Sequence, residues 1–305
     1  MSEQAAREAR IYCSEVASLA DAPLQGSAVQ VHCWLLIEYA RPWKPKALLD
    51  NELPQAVNDH LSELPDAYSV LCDQLLRVQF IKQASSADQV RPRVFIAHHT
   101  QGLFMREYEQ LSELTDLTPE MLQSPLAAGF ARQTESITLV CTNGQRDLCC
   151  ARFGLPVYES LRSEMDRRVW QTTHVGGHRY APNLLSLPSG LLFGFVSPDE
   201  APLLQRKLDQ GVMTLHRLRG RSALSPAAQA AEYYLRTAQN VRGLDALEFR
   251  GESHDEQTVI VEFSNPQGVC TRVSVKALES SPVLASCDGQ PKPVKQFELL
   301  DIQRA

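Results

Sequence analysis

ITLVCTNGQRDLCCARFGLPVYESL, residues 137–161, holds a strand, a turn, three thiols and the start of a helix. ITLVC (137–141) is apolar and β-branched, which reads as a buried strand ending in Cys141. Thr-Asn-Gly then turns the chain, and Gly144 permits a backbone angle that other residues resist. Cys149 and Cys150 close the loop ahead of a helix over 154–168, with Leu155, Tyr158, Leu161 and Met165 on one face. In α/β folds, chemistry collects beyond the carboxyl ends of strands, where Cys141 sits.

The pattern continues outward from this stretch. VWQTTH (169–174), LLSLP (184–188) and LLFGFV (191–196) read as strands. Ser197-Pro198-Asp199-Glu200 opens a helix with a capping-box acid. Strand–helix–strand–strand–strand–helix is the skeleton of a thioredoxin-like α/β domain, assigned to residues 131–222. Residues 1–130 read as an α/β domain that could be a degenerate copy of the same layout. Its strands lie at 28–39, 77–83, 91–100 and 103–108. A helical pattern over 45–64 is interrupted at Pro54, and another helix starts at Thr118-Pro119-Glu120. Residues 223–305 form a third unit, in which a helix capped by Ser225-Pro226 precedes four short strands of an antiparallel sheet.

The chain of 305 residues is 44% hydrophobic and 22% charged, ordinary values for a globular protein. Thirty basic and 36 acidic side chains leave a net charge of −6. No basic tract interleaved with aromatics appears, so nucleic acid is not an expected partner. Runs such as WLLI (34–37) are too short to span a bilayer, and MSEQAAREARIYC lacks the apolar stretch of a secretory signal. The expectation is a cytoplasmic protein with no membrane partner. In a reducing compartment, scattered cysteines such as Cys13, Cys33, Cys72, Cys270 and Cys287 read as buried small apolar residues.

HVGGH (174–178) is the second concentration of metal-binding side chains. Its paired glycines disfavour a helix by roughly 1 kcal/mol each relative to alanine. They suit a loop wrapped closely around a ligand, with backbone N–H groups free to approach an anion. Adjacent cysteines point in different directions, so one of Cys149 and Cys150 can join Cys141 and the other reads as packing. Two thiolates with two imidazoles make a four-ligand set. Zinc accepts such a set as a closed tetrahedral site, and a [2Fe–2S] cluster accepts it with imidazoles replacing thiolates on one iron. The residue types alone leave both metals open. His98 and His99 have no neighbouring thiols and read as structural.

Several motifs here resemble the sucrase/ferredoxin-like family, whose core is a thioredoxin-like [2Fe–2S] ferredoxin of the actin-patch-distal type. They are Cys141, Gly144-Gln-Arg146-Asp147, Cys150, His174-Val-Gly-Gly-His178-Arg179, Asn183 and Leu187-Pro-Ser-Gly190. CSEVASLADAPLQGSA near the start and RGRSALSPAAQAAEYYLR (219–236) extend the likeness. The resemblance implies a [2Fe–2S] cluster on Cys141, Cys150, His174 and His178, with Gly144, Arg146, Gly176, Gly177 and Arg179 around it. It selects Cys150 over Cys149. It implies an electron carrier rather than a catalyst, served by an unidentified redox protein partner. The alternative is a binding or scaffold protein with zinc on the same four residues. No carboxylate pair in a recognisable site supports a glycosidase.

Overall fold

The computed structural model describes residues 11–88 and 91–304. Most of the stretch read as lacking a secretory signal, residues 1–10, lies outside them. Strands β1 (Cys33–Glu38), β2 (Leu76–Lys82), β3 (Arg93–His98), β4 (Gly102–Glu107) and β5 (Ala131–Gln133) make one half of a ten-stranded sheet. Strands β6 (Ile137–Cys141), β7 (Val169–Thr172), β8 (Leu184–Leu187), β9 (Leu191–Phe193) and β10 (Leu218–Arg221) make the other. The halves follow one plan. β1 runs parallel to β2 and antiparallel to β3, as β6 does to β7 and β8. They join through an antiparallel β2–β7 contact at Ile81–Thr172 and Lys82–Gln171. Strands from either side of residue 130 therefore share one sheet, and β1 and β6, which flank the β2–β7 junction, are buried along their length.

Helix α1 is Cys13–Leu19, and each parallel strand pair is bridged by a helix, α2 (Gln55–Cys72) or α4 (Leu148–Met165). Pro54 does not break α2 but sits at its N-cap, where a missing N–H costs nothing. Val57, Leu61, Leu64 and Tyr68 then give it a buried stripe with helical spacing. α4 begins earlier than the composition suggests, because Asp147 caps it, its carboxylate accepting from the Cys149 N–H at 2.9 Å. Cys149 and Cys150 therefore lie in its first turn rather than in the preceding loop. The inward face runs through Cys150, Gly154, Val157, Tyr158 and Leu161, while Leu155 is exposed. The short helix α3 (Pro119–Gln123) is capped by Thr118. Helix α5 (Ala201–Asp209) follows reciprocal bonds between Ser197 and Glu200.

Helix α6 (Pro226–Ala238) packs against a four-stranded antiparallel sheet of β11 (Glu248–Asp255), β12 (Thr258–Ser264), β13 (Cys270–Glu279) and β16 (Lys295–Arg304). Alternating Val259, Val261 and Phe263, with Val273 and Val275, bury against Ala227, Ala228, Ala231 and Leu235. Four strands escaped sequence reading: β5, β10, and the hairpin of β14 (Val283–Leu284) with β15 (Pro291–Lys292). The hairpin pairs are too short to show an alternating pattern. β10 carries two arginines and a glycine that no strand pattern favours, and its burial comes from the neighbouring β9 and α6. Among the described residues, no helix is long and apolar enough to cross a membrane.

Candidate metal centre

β6 ends at Cys141, whose backbone N–H donates to the Asn183 carbonyl. α4 returns so closely that a Cβ on Gly154 would lie 2.3 Å from the Cys141 carbonyl oxygen. That approach sets Cys150, one turn earlier on the same helix, beside Cys141. Both thiols are buried, at 1% and 0% exposure. His174 Nδ1 lies 3.9 Å from Cys141 Sγ and 3.8 Å from Cys150 Sγ. Each of these residues has a ligand atom within 4.8 Å of the others'. Hydrogen bonding from Cys150 and the nearby His174 hold the Cys141 thiol well below its ordinary pKa. The same bond and burial push Cys150 well above.

His178 stands beside this trio. Its ring centroid is 5.0 Å from that of His174, and its Nε2 is 3.9 Å from Asp147 Oδ2. Its Nδ1 is buried and has no hydrogen-bond partner. A buried nitrogen with an unused lone pair or proton is costly, and a ligand would remove that cost. The donors present, two thiols and two imidazole Nδ1 atoms, are chemically suited to zinc or to a [2Fe–2S] cluster.

The loop carrying the histidines is held from both sides. Gly176 and Gly177 have φ of 91° and 72°, in the left-handed region. Arg219, from β10, is buried; it donates to the Gly176 carbonyl at 2.9 Å and to Asn183 Oδ1 at 2.7 Å, and also to Ser27. Asn183 in turn donates to the Gly177 carbonyl at 2.9 Å. Arg77, from β2, donates to the His174 carbonyl at 2.7 Å, and Gln79 donates to the same oxygen. Sequence reading missed Arg77 and Arg219 because each comes from a distant strand. For Arg77 the signal available was a charged residue inside an apolar, strand-like stretch; Arg219 sits in a stretch with no strand pattern and offered none.

Of the outer residues named from sequence, Gly144 fits against α4, where a Cβ would come 2.6 Å from the Ala151 Cβ. Arg146 is exposed and lines, with Lys46, Arg77, Asn143 and His174, a cavity of about 490 Å³ that opens beside the site. Arg179 Nη1 is buried without a partner. His98 is buried and bonded to Gln74 and Thr100, remote from the thiols in its contacts. Cys149 points away from this trio. It meets Cys13 and Cys287 instead, so these three cysteines are more than scattered packing residues.

The sucrase/ferredoxin-like family model matches residues 24–220. The curated protein named altered inheritance of mitochondria protein 32, from Meyerozyma guilliermondii, is 26% identical over 126 residues. That stretch covers 37% of this chain and 44% of the relative, so less than half of the relative's length is matched. No solved structure matches the chain. Because the family match runs from Leu24 to Gly220, through both halves of the large sheet and every side chain of the Cys141–His178 site, the chain belongs to the sucrase/ferredoxin-like family.

Proposed function

We propose that the chain is an electron-transfer protein that carries a [2Fe–2S] cluster on Cys141, Cys150, His174 and His178 of a thioredoxin-like ferredoxin unit. The observation that carries this reading is the donor set: two buried thiols against His174 Nδ1, and beside them His178 Nδ1, buried with no partner. Such a cluster supplies reversible one-electron chemistry at a potential above that of all-cysteine clusters. The chain's own residues would position and shield it. Arg219 and Asn183 fix the glycine loop, and Arg77 and Gln79 fix the His174 backbone. Burial of Cys141 and Cys150 excludes water from the sulfur side. With His178 Nδ1 as a ligand atom, its Nε2 would stay 3.9 Å from the Asp147 carboxylate, whose charge would help to orient the ring. The adjoining cavity, rimmed by Lys46, Arg77 and Arg146, would favour a redox partner with an acidic surface, despite the chain's net charge of −6.

A zinc-bound binding or scaffold protein is the second reading. It is favoured by the compactness of Cys141, Cys150 and His174, whose donors lie as close together as the ligands of a single ion. The test is iron, acid-labile sulfide and zinc per chain in anaerobically purified protein, with electron paramagnetic resonance after reduction by dithionite. Equal iron and sulfide, with a signal abolished by Cys150→Ser and retained in Cys149→Ser, is expected. Zinc lost on Cys150→Ser, with no iron or sulfide in the wild type, would replace the carrier with the zinc protein.

A further inference from the structure

Behind the first site, three cysteines from remote parts of the chain meet. Cys13 opens α1, Cys149 lies in the first turn of α4, and Cys287 lies in the turn of the β14–β15 hairpin. Their separations along the chain are 136, 138 and 274 residues. Their sulfurs form a triangle with sides of 3.5 Å (Cys13–Cys149), 3.2 Å (Cys149–Cys287) and 3.8 Å (Cys13–Cys287). Asp147 closes the figure, with Oδ1 at 3.1 Å from Cys287 Sγ and 3.8 Å from Cys13 Sγ. All four residues have a ligand atom within 4.8 Å of the others'.

These distances discriminate among explanations. A disulfide brings sulfurs to about 2.05 Å, and no cysteine here is bonded to another. Tetrahedral thiolates at about 2.3 Å from a zinc ion lie about 3.8 Å apart. Two sides of the triangle, 3.5 and 3.8 Å, lie within about 0.3 Å of that spacing, the third, 3.2 Å, is about 0.6 Å shorter, and the figure is too tight to enclose two metals. Apolar packing does not explain a carboxylate 2% exposed among thiols. Asp147 accepts from the Cys149 and Cys287 backbone N–H groups, at 2.9 and 3.0 Å, which holds it facing the sulfurs. Tyr12, Phe153, Leu148, Ala181 and Leu284 wall the cluster. A closed, four-donor, sulfur-rich pocket is the form of a structural zinc site.

We infer that Cys13, Cys149, Cys287 and Asp147 form a second, mononuclear metal centre, a structural zinc site that pins α1 and the β14–β15 hairpin to the N-terminus of α4. This centre does not depend on which group occupies the first. The two are neighbours through α4: Cys149 serves one and Cys150 the other, and Asp147 faces both Cys287 and His178. The ion would thereby fix the helical turn that presents Cys150.

The test is zinc per chain in full-length protein purified without chelator, in the wild type and in Cys287→Ser, Cys287→His and Cys150→Ser. One zinc per chain is expected in the wild type, retained in Cys150→Ser, lost in Cys287→Ser and kept in Cys287→His, where imidazole replaces the thiolate. Cobalt(II) added to the metal-free wild type is expected to give thiolate-to-metal charge-transfer bands and tetrahedral ligand-field bands, which Cys150→Ser also shows. If Cys287→Ser does not fold, the histidine variant and the wild-type cobalt spectrum decide. Zinc that leaves with Cys150→Ser but stays in Cys287→Ser would place the ion in the first site and overturn the inference. So would a metal-free wild type with three titratable thiols or a Cys149–Cys287 disulfide by mass spectrometry. If the first site also holds zinc, the wild type carries two zinc ions and Cys150→Ser and Cys287→Ser one each, so the second centre is still told apart from the first.

Discussion

Gly176 and Gly177 are adjacent, both at positive φ, yet substitution by alanine has different consequences at each. Gly176 has φ of 91°, and an added Cβ would meet only Val29, at 3.8 Å. Gly177 has φ of 72° and ψ of 53°. There a Cβ would lie 2.5 Å from Arg219 Nη2 and 2.9 Å from both Arg219 Cζ and Tyr180 Cδ2. Arg219 cannot withdraw cheaply, because its nitrogens hold Ser27, Gly176 and Asn183. Placing an L-residue in the left-handed region costs about 1–2 kcal/mol, and overpacking a filled site adds about 1–3 kcal/mol. Gly176→Ala should therefore cost about 1–2 kcal/mol and Gly177→Ala about 2–5 kcal/mol. With an unfolding entropy of about 2.1 cal/mol/K per residue, a chain of 305 residues loses about 1.6 °C in Tm per kcal/mol. The expected drops are about 2–3 °C and about 3–8 °C. Scanning calorimetry on the metal-free chain measures both without a contribution from ligand binding. Equal drops, or a larger one for Gly176→Ala, would refute the claim that Arg219 and the glycine loop are fitted to each other.

Glu232 is buried between Arg236, at 2.9 Å, and Arg221, at 3.3 Å. Glu232→Gln strands two half-buried or buried guanidinium groups and should cost about 3–5 kcal/mol at neutral pH, read by urea denaturation. Burial raises the Glu232 pKa, but Arg221 and Arg236 outweigh it and hold it below its ordinary value. The carboxylate's contribution is thus complete above the unfolded-state pKa and fades as pH falls through the folded one, so the penalty of the variant should shrink in acid. His32, His98 and His99 form a ring cluster in which burial, then mutual repulsion for His32 and His98, lowers their pKa values, that of His98 to about 4. The unfolded chain binds more protons than the native one between about pH 6.5 and about pH 4, so Tm should fall across that window. His98→Asn should flatten the fall, and an unchanged slope would remove His98 from the account.

Much of the fold was legible because it rests on local chemistry. The strand ITLVC, the Thr118 and Ser225 caps and the alternating strands of the C-terminal sheet stand where composition and turn residues place them. The start of α4 was misplaced because Cys149 and Cys150 carry no helical signal of their own; the Asp147 cap supplies it. β5, β10 and the β14–β15 hairpin were missed because none has a periodic pattern, and pairing with neighbouring strands creates them.

The sequence by itself supplied the candidate donors: two thiols near one strand end, and two imidazoles spaced by glycines that only a tight loop would use. It also determined that adjacent cysteines must part, since neighbouring side chains along a chain point in different directions. Only the tertiary structure decided where the second of them goes. Cys13 and Cys287 stand 274 residues apart, and no local pattern records that they meet. The closure of the chain around the N-terminus of α4 brings them to Cys149 and Asp147, just as β2 and β10 bring Arg77 and Arg219 to the histidine loop. Such contacts depend on distances fixed by packing the whole sheet, which no short stretch of sequence encodes.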